Sequence, residues 1–146
     1  MATLSSKIES GNPNKNLEII KRKSYSLFME FLGLRTLIYP TLNVDEAKKW
    51  WKDFLGVDPH FDEPFYVGFN VGGYEIGLNP GAAMEFGPMT YIGVNSIEEA
   101  LSWAKESGAR VVSGIEDVGD RIQIAHLISP TGERFGLIVN PHFRTE

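Results

Sequence analysis

Alternating apolar and polar residues from Phe65 to Asn79 predict a β-hairpin. Gly72-Gly73 suits a two-residue turn that needs positive φ. With that turn, one face is apolar and pairs Val71 with Tyr74, Phe69 with Ile76, and Val67 with Leu78. The other face carries Asn70 with Glu75, Gly68 with Gly77, and Tyr66 with Asn79. The first face should pack under a helix, whereas the second suits a ligand-filled concavity better than a dry core.

Two internal segments show the apolar spacing of amphipathic helices. The first runs from Asp45 to Leu55 and ends at Gly56; the second runs from Ser96, as N-cap, to Ser107 and ends at Gly108. The first helix carries its apolar residues Ala47, Trp51, Phe54 and Leu55 at helical spacing. That spacing predicts core packing rather than ligand contact.

A third helix is predicted near the N-terminus. Residues 1–16 are rich in Ser, Asn, Lys and Gly and are expected to be poorly ordered. Residues 17–32 have helical periodicity, with Gly33 as the stop. The apolar stripe of this helix must be covered, so we expect it to dock on its own domain or on a partner subunit. Residues 1–33 are therefore predicted to be an N-terminal extension.

The remainder of the chain repeats one structural unit. Glu46-Ala47, Trp50 and Lys52-Asp53 recur as Glu99-Ala100, Trp103 and Lys105-Glu106, and Gly73, Gly77 and Leu78 recur as Gly132, Gly136 and Leu137. Strand candidates open the two halves at Leu34–Pro40 and Met89–Val94, and two or three strands follow between Ala109 and Asn140. We predict an α+β fold of two βαβββ modules, residues 34–81 and 87–143, that enclose a space between them.

Composition limits the classes of function. The chain has 146 residues, enough for one compact domain, and a net charge of −5, which argues against a nucleic-acid partner. It has no cysteine, so disulfides and thiolate chemistry are excluded. No apolar run approaches the ~20 residues of a membrane span, and the first residues lack the apolar core of a signal peptide. The expected compartment is therefore the cytoplasm, with no membrane partner.

The sequence resembles the vicinal oxygen chelate superfamily, which includes glyoxalase I, bleomycin-resistance proteins and extradiol dioxygenases. The likeness lies in Leu42-Asn43-Val44-Asp45-Glu46-Ala47, Trp50-Trp51 and Phe54-Leu55-Gly56, then in Val94-Asn95-Ser96-Ile97-Glu98-Glu99-Ala100 and Gly108-Ala109-Arg110-Val111. Ser129-Pro130-Thr131-Gly132 stands where the family usually has Asp-Pro-x-Gly. The resemblance covers residues 34–143 as one domain. It implies that the modules pair into a cup-shaped mixed sheet, to which the N-terminal helix is an addition.

The resemblance also implies where a metal would bind. Metal-dependent members take their ligands from four strand positions, which correspond here to Thr36, Gly77, Met89 and Gly136. These residues cannot assemble a zinc site, and a register slip to Arg35, Ile76, Thr90 and Phe135 or Leu137 offers no better set. Glu75, two residues from Gly77 on the same face, is the one candidate for an oxygen ligand, but its repeat partner Arg134 would repel a cation. We expect no metal and no other cofactor.

The resemblance places four candidate ligand-binding residues on the inner face of the cup, alternation along the strands adds six, and His126 is included for one of its two possible orientations. They are Thr36, Ile38, Tyr66, Asn70, Glu75, Gly77, Met89, Tyr91, His126, Arg134 and Gly136. The matched pair Gly77 and Gly136 favours space for a ligand, although glycines can also simply ease sheet curvature. Tyr66 and Tyr91 can stack on a flat ligand. Glu75 and Arg134 can either pair with each other across the cup or hold the two charges of a zwitterion.

The position of His126 depends on the turn at Pro130-Thr131-Gly132. A three-residue turn places His126 opposite Gly136, inside the cup, and a two-residue turn points it at the helices. Inside the cup it can act as a general base, although the sequence places no carboxylate near it. His60 and His142 follow prolines and are predicted to be surface residues.

The sequence favours a metal-free binding protein of the bleomycin-resistance type, which acts by sequestration or sensing of a small organic molecule. An aromatic or cationic ligand fits the acidic balance and the aromatic cup. Pairing of chains in that branch implies a homodimer, with the N-terminal helix as a candidate contact. The alternative is a related lyase or dioxygenase that uses an atypical metal site or acid–base work by His126, Glu75 or Tyr91. A third reading is a regulatory module, for which the N-terminal helix is the hint.

Overall fold

The computed structural model describes residue 14 and residues 29–144. Residues 29–144 form one eight-stranded mixed sheet and two α-helices. The strands are β1 Phe31–Pro40, β2 Phe61–Glu63, β3 Tyr66–Val71, β4 Tyr74–Asn79, β5 Met89–Val94, β6 Arg110–Asp117, β7 Gln123–Ile128 and β8 Arg134–Val139. The helices are α1 Val44–Leu55 and α2 Ile97–Glu106, and a 3₁₀ helix, Met84–Phe86, lies between the halves.

The strand order β2-β3-β4-β1-β5-β8-β7-β6 joins two βαβββ halves edge to edge. Strands β1 and β5 pair antiparallel at the centre, and each pairs parallel with the last strand of its own half, β4 or β8. The predicted α+β fold with two repeated modules is confirmed. Within the part of the chain described, no helix is long and apolar enough to cross a membrane.

The hairpin of β3 and β4 has the predicted register. Gly72 and Gly73 form its turn with φ values of 60° and 89°, and Val71, Phe69 and Val67 pair with Tyr74, Ile76 and Leu78. Val67, Phe69 and Leu78 are fully buried, and α1 covers them. The pair nearest the turn is less covered, since Val71 and Tyr74 are 37% and 46% exposed and the Tyr74 ring contacts Phe143 rather than the buried cluster.

Helix α1 is defined by its caps. The Asn43 side chain accepts a hydrogen bond from the backbone N–H of Glu46, and Gly56 ends the helix in the left-handed conformation. The predicted core contacts are made by Ala47, Trp51 and Leu55. The expectation for Phe54 is wrong, since this ring is 67% exposed and stacks on Trp50 at 4.8 Å between ring centroids. Its ring contacts are with Trp50 and Trp51 of the same helix rather than with the sheet cluster.

Helix α2 has the deeper core. Ser96 caps it at the Glu99 N–H, as predicted. Its residues Ile97, Ala100 and Leu101 are buried against the side chains of β7 and β8. Gly108 follows the helix with a φ of 94°, a conformation that favours glycine.

The predicted helix 17–32 is wrong at its C-terminal end, and its residues 17–28 lie outside the described residues. Met29 and Glu30 are not helical, and β1 begins at Phe31, which pairs with Val94 of β5. The Glu30 N–H donates to Oδ1 of Asn95 at 2.7 Å, so the chain is already held extended there. Gly33 therefore does not stop a helix; it lies in β1 with a φ of 93°, beside a register shift in the pairing with β5. Tertiary pairing outweighs the local helical period at this point.

Candidate functional site

The pairing registers bring many of the predicted ligand residues into one row on the inner face, the face opposite the helices. Across β3, β4, β1, β5, β8 and β7, this row contains Asn70, Glu75, Thr36, Tyr91, Gly136 and His126. Gly77, Ile38 and Met89 form part of the next row. Glu75 and His126 are separated by roughly 20 Å along the sheet, given about 4.8 Å per strand. The predicted residues therefore fall into two groups.

Tyrosine rings occupy the space beside the two matched glycines. A Cβ built on Gly77 would lie 2.6 Å from Cζ of Tyr66, and one on Gly136 would lie 2.5 Å from Cε1 of Tyr91. Real Cβ atoms do not approach other atoms so closely. The space beside each glycine is therefore filled by a tyrosine of the same inner face, and it is not open to a ligand, contrary to the expectation from the sequence.

The first group of polar residues lies in the first half of the sheet. The Tyr66 hydroxyl donates to Oε1 of Glu75 at 2.5 Å, and Nε2 of His60 lies 2.8 Å from Oε2 of Glu75. Burial raises the pKa of Tyr66 above its usual range, and the Glu75 carboxylate raises it further, so Tyr66 stays a neutral donor. Glu75 is thus engaged on both oxygens and forms no ion pair with Arg134. His60 is exposed, as predicted, but its contact with Glu75 was not foreseen.

Two other predicted residues have structural contacts here. Oδ1 of Asn70 accepts a hydrogen bond from the Gly73 N–H at 2.9 Å and so closes the hairpin turn. Thr36 is 8% exposed, and its strand neighbours are Glu75 and Tyr91. Neither residue lines the cavity of the second half.

The second group surrounds a cavity of about 380 Å³. Of the predicted ligand residues, it gathers Ile38, Met89, Tyr91, His126 and Arg134. The other lining residues are Pro40, Asn79, Ala82, Ala83, Phe86, Gly87, Val112, Ser113 and Glu116. Sequence reasoning missed these, because they come from strand ends, from the linker between the halves and from the edge strand β6. The volume is within the range of small-molecule sites.

His126 lies inside this cavity because the turn after β7 has three residues. The Ser129 N–H donates to the Glu133 carbonyl at 2.8 Å, which sets His126 opposite Gly136. Nδ1 of His126 lies 2.8 Å from Oγ of Ser113, and Nε2 lies 2.5 Å from the Tyr91 hydroxyl. A neutral imidazole has one donor and one acceptor, so both contacts are satisfied at once.

The cavity keeps His126 and Tyr91 uncharged at neutral pH. Burial lowers the pKa of His126 and the Arg134 charge lowers it further, while Glu116 opposes both effects. Burial raises the pKa of Tyr91 to about 12, and Glu116 adds to that rise. The result is a hydrogen-bonded chain of three neutral groups, Ser113, His126 and Tyr91.

The lowered pKa of His126 predicts a loss of stability in mild acid. The folded state holds this imidazole neutral, whereas in the unfolded chain it takes up a proton near pH 6.5. The contribution of His126 to the free energy of unfolding is therefore complete above about pH 6.5 and is lost as the pH falls through its lower folded-state pKa. Urea unfolding between pH 5 and 8 should show the loss, and the variant His126→Gln should lack it.

The exposed His142 provides the control for this prediction. Its Nε2 contacts the carbonyl of Asp120, and neither residue lines the cavity. His142→Gln should retain the loss of stability in mild acid that His126 causes. An NMR titration that placed the folded-state pKa of His126 above its unfolded value would contradict the prediction.

Arg134 contributes a positive charge to the cavity. Its guanidinium carbon lies 3.8 Å from the ring centroid of Phe86, which comes from the 3₁₀ helix of the linker. Its Nε is buried and has no hydrogen-bond partner in the described part of the chain. The cavity therefore combines an apolar wall, a neutral histidine–tyrosine pair and an incompletely satisfied cation.

Comparison with solved structures identifies the fold. A methylmalonyl-CoA epimerase variant from Streptomyces coelicolor matches with a TM-score of 0.62 and 12% identity, over 80% of this chain and 100% of that one. A glyoxalase/bleomycin resistance protein/dioxygenase superfamily member from Vibrio splendidus 12B01 matches with a TM-score of 0.57 and 16% identity, over 73% and 99%. The chain has the vicinal oxygen chelate fold. This confirms the fold expected from the sequence.

The vicinal oxygen chelate fold does not by itself determine an activity. A Mn(II)-bound glyoxalase from Novosphingobium aromaticivorans also matches, with a TM-score of 0.62 and 15% identity over 82% of this chain and 42% of that one. No protein-family model and no curated protein matches the sequence. Function must therefore be argued from the site.

The residues at the metal positions of the vicinal oxygen chelate fold do not fit a metal ion. Thr36 and Met89 offer a hydroxyl and a thioether, and the two glycine positions are covered by the rings of Tyr66 and Tyr91. Across residues 29–144, no three His, Asp or Glu side chains come together in a group that could hold an ion. The donor set at these positions lacks the imidazole and carboxylate groups that divalent metals prefer.

Proposed function

We propose that this chain is a metal-free binding protein for a small organic molecule, which acts by sequestration or sensing. The observation that carries the proposal is the replacement of the metal positions of the fold. Glycines covered by tyrosine rings stand where ligands would be, while a cavity remains beside His126 and Tyr91. The proposal includes the homodimer that the sequence resemblance implies, which sedimentation equilibrium of the full chain would test.

The wall of the cavity supports this proposal. Ile38, Met89 and Val112 supply apolar surface, and His126 and Arg134 supply polar groups that can orient a ligand. Apolar walls with a few convergent polar groups are typical of small-molecule sites. Strands of both modules contribute, because Ile38 lies on β1 and Met89 on β5.

Metal addition is the direct test. The purified full chain should hold far less than one metal per chain by elemental analysis. Added Mn²⁺, Fe²⁺, Ni²⁺ or Zn²⁺ should leave its unfolding temperature unchanged, because a ligand stabilises a protein only when it binds the folded state. Stoichiometric binding of one of these ions, with a stability gain that Thr36→Val or Met89→Leu removes, would contradict the proposal.

A second candidate function is acid–base catalysis without a metal. The observation that favours it is the hydrogen-bonded chain of Ser113, His126 and Tyr91 within the cavity. A neutral imidazole in contact with a ligand can accept or return a proton. NMR in deuterated water separates the two functions. Sequestration predicts no exchange of the carbon-bound protons of a ligand, whereas catalysis predicts exchange that His126→Gln abolishes without loss of binding.

A further inference from the structure

We infer that the cavity binds a small organic monocarboxylate and that Arg134 is its charge partner. The inference rests on the proposed function and adds the chemical class of the ligand. Arg134 stands on β8, reaches the cavity and contacts the ring of Phe86 at 3.8 Å. No carboxylate within residues 29–144 lies within ion-pair distance of it.

The hydrogen-bonding state of Arg134 indicates a missing acceptor. Its Nε is buried without a partner, and contact with an aromatic ring supplies no oxygen acceptor for the N–H donors. A buried donor left unsatisfied destabilises a folded protein. A carboxylate in the cavity would accept hydrogen bonds from the terminal N–H groups of the same guanidinium, whose planar fork matches two carboxylate oxygens.

The charges around the cavity favour a monoanion. Arg134 and Glu116 are the charged residues among those that line it. Glu116 is exposed on the edge strand β6, whereas Arg134 is partly buried on β8. One cation balances one negative charge, and a phosphate dianion would meet repulsion from Glu116 with no second cation to offset it. Glu75, the other candidate partner for a charged ligand, is already engaged by Tyr66 and His60.

The rest of the wall defines the body of the ligand. Ile38, Pro40, Met89 and Val112 line the cavity with apolar surface. An aromatic or branched aliphatic body would be buried against these side chains, which is favourable. The ligand class is therefore a carboxylate at one end and a compact apolar group at the other.

Binding of such an anion should be visible at His126. The Arg134 charge disfavours the protonated imidazole, and an anion beside Arg134 would offset that effect. The His126 ring should therefore protonate more readily in the complex. A neutral ligand of the same shape should not produce this rise in the pKa of His126.

Matched ligand pairs test the inference. Phenylacetate and phenylacetamide, and 4-methylpentanoate and 4-methylpentanamide, are titrated into the full chain and followed by NMR. Each acid should bind about tenfold or more tightly than its amide, as expected for hydrogen bonds to a charged group. Arg134→Gln should abolish the preference, and Arg134→Lys should retain part of it. Arg110→Gln, at an exposed position of β6 outside the lining, should change nothing.

The outcomes separate this inference from the proposed function. If the amides bind as tightly as the acids, the carboxylate inference is wrong and the binding function stands. If no member of the panel binds, the carboxylate inference is wrong, whereas the proposed function is overturned by the stoichiometric metal binding described above. Glu116→Gln provides a second test if Arg134→Gln fails to fold, because Glu116 is exposed and its substitution should not affect folding. It should preserve or strengthen the preference for acids, and a loss of that preference would overturn the inference.

Discussion

Replacing Gly136 by alanine should destabilise the protein by about 3 kcal/mol, the upper part of the range for overpacked cores. The new Cβ would lie 2.5 Å from Cε1 of Tyr91. The Tyr91 ring has little freedom to move, because it is 5% exposed and its hydroxyl is held by Nε2 of His126. Urea denaturation of the wild type and the variant would measure the loss.

A matched glycine on β6 gives the control. A Cβ at Gly114 would meet no atom within 4 Å, so Gly114→Ala should change the free energy of unfolding by less than about 0.5 kcal/mol. In a protein that already carries Tyr91→Ala, Gly136→Ala should lower the free energy of unfolding only slightly, because the ring with which the new Cβ clashes is absent. An equal cost in both backgrounds would show that the contact with Tyr91 is not the cause.

In both halves a tyrosine ring covers a glycine of the inner face, but the tyrosine lies on a different strand in each half. Tyr66 comes from β3, the antiparallel neighbour of the strand that carries Gly77, whereas Tyr91 comes from β5, the parallel neighbour of the strand that carries Gly136. The sequence placed all four residues on the inner face. It could not show which ring covers which glycine, because that depends on side-chain direction and on strand pairing between distant segments.

The parts of the fold that could be predicted are those fixed by local geometry. The Gly72-Gly73 turn leaves one register for β3 and β4, so every pair of that hairpin followed from the alternation of apolar residues. The caps Asn43 and Ser96 likewise mark the starts of their helices from a few neighbouring residues. These signals need no knowledge of the tertiary structure.

The parts of the site that escaped prediction depend on irregular or distant segments. Ser113 and Glu116 lie on β6, where register shifts flank Ser113 and the simple alternation of faces breaks down. Phe86 comes from a 3₁₀ helix in a linker whose Gly and Pro content gave no sign of a contact with Arg134. At Phe31, pairing with Val94 replaces the helix that the local pattern favoured.

The largest effect on stability is expected from Phe69→Ala, at about 3–5 kcal/mol, the usual range for a buried phenylalanine. Phe69 is 0% exposed and lies under α1 with Val67 and Leu78. No residue of α1 is itself fully buried, so the helix depends on this cluster for its packing. Its other contacts with the sheet include the stacking of Trp51 on Tyr39 and the ion pair of Lys48 with Asp62. Urea denaturation gives the total cost, and hydrogen exchange should show that amides of β3, β4 and α1 lose protection first.

The exposed Phe54 of the same half is the control. Its ring is 67% exposed, so Phe54→Ala should cost under about 1 kcal/mol. In the second half, α2 buries Ile97, Ala100 and Leu101, and it should keep its protection in Phe69→Ala. Equal loss of protection in both halves would instead mean that the sheet unfolds as one unit. Most walls of the cavity come from the linker and the second half, and Ile38 of β1 completes them. If the sheet unfolds as one unit, Phe69→Ala should therefore also abolish ligand binding.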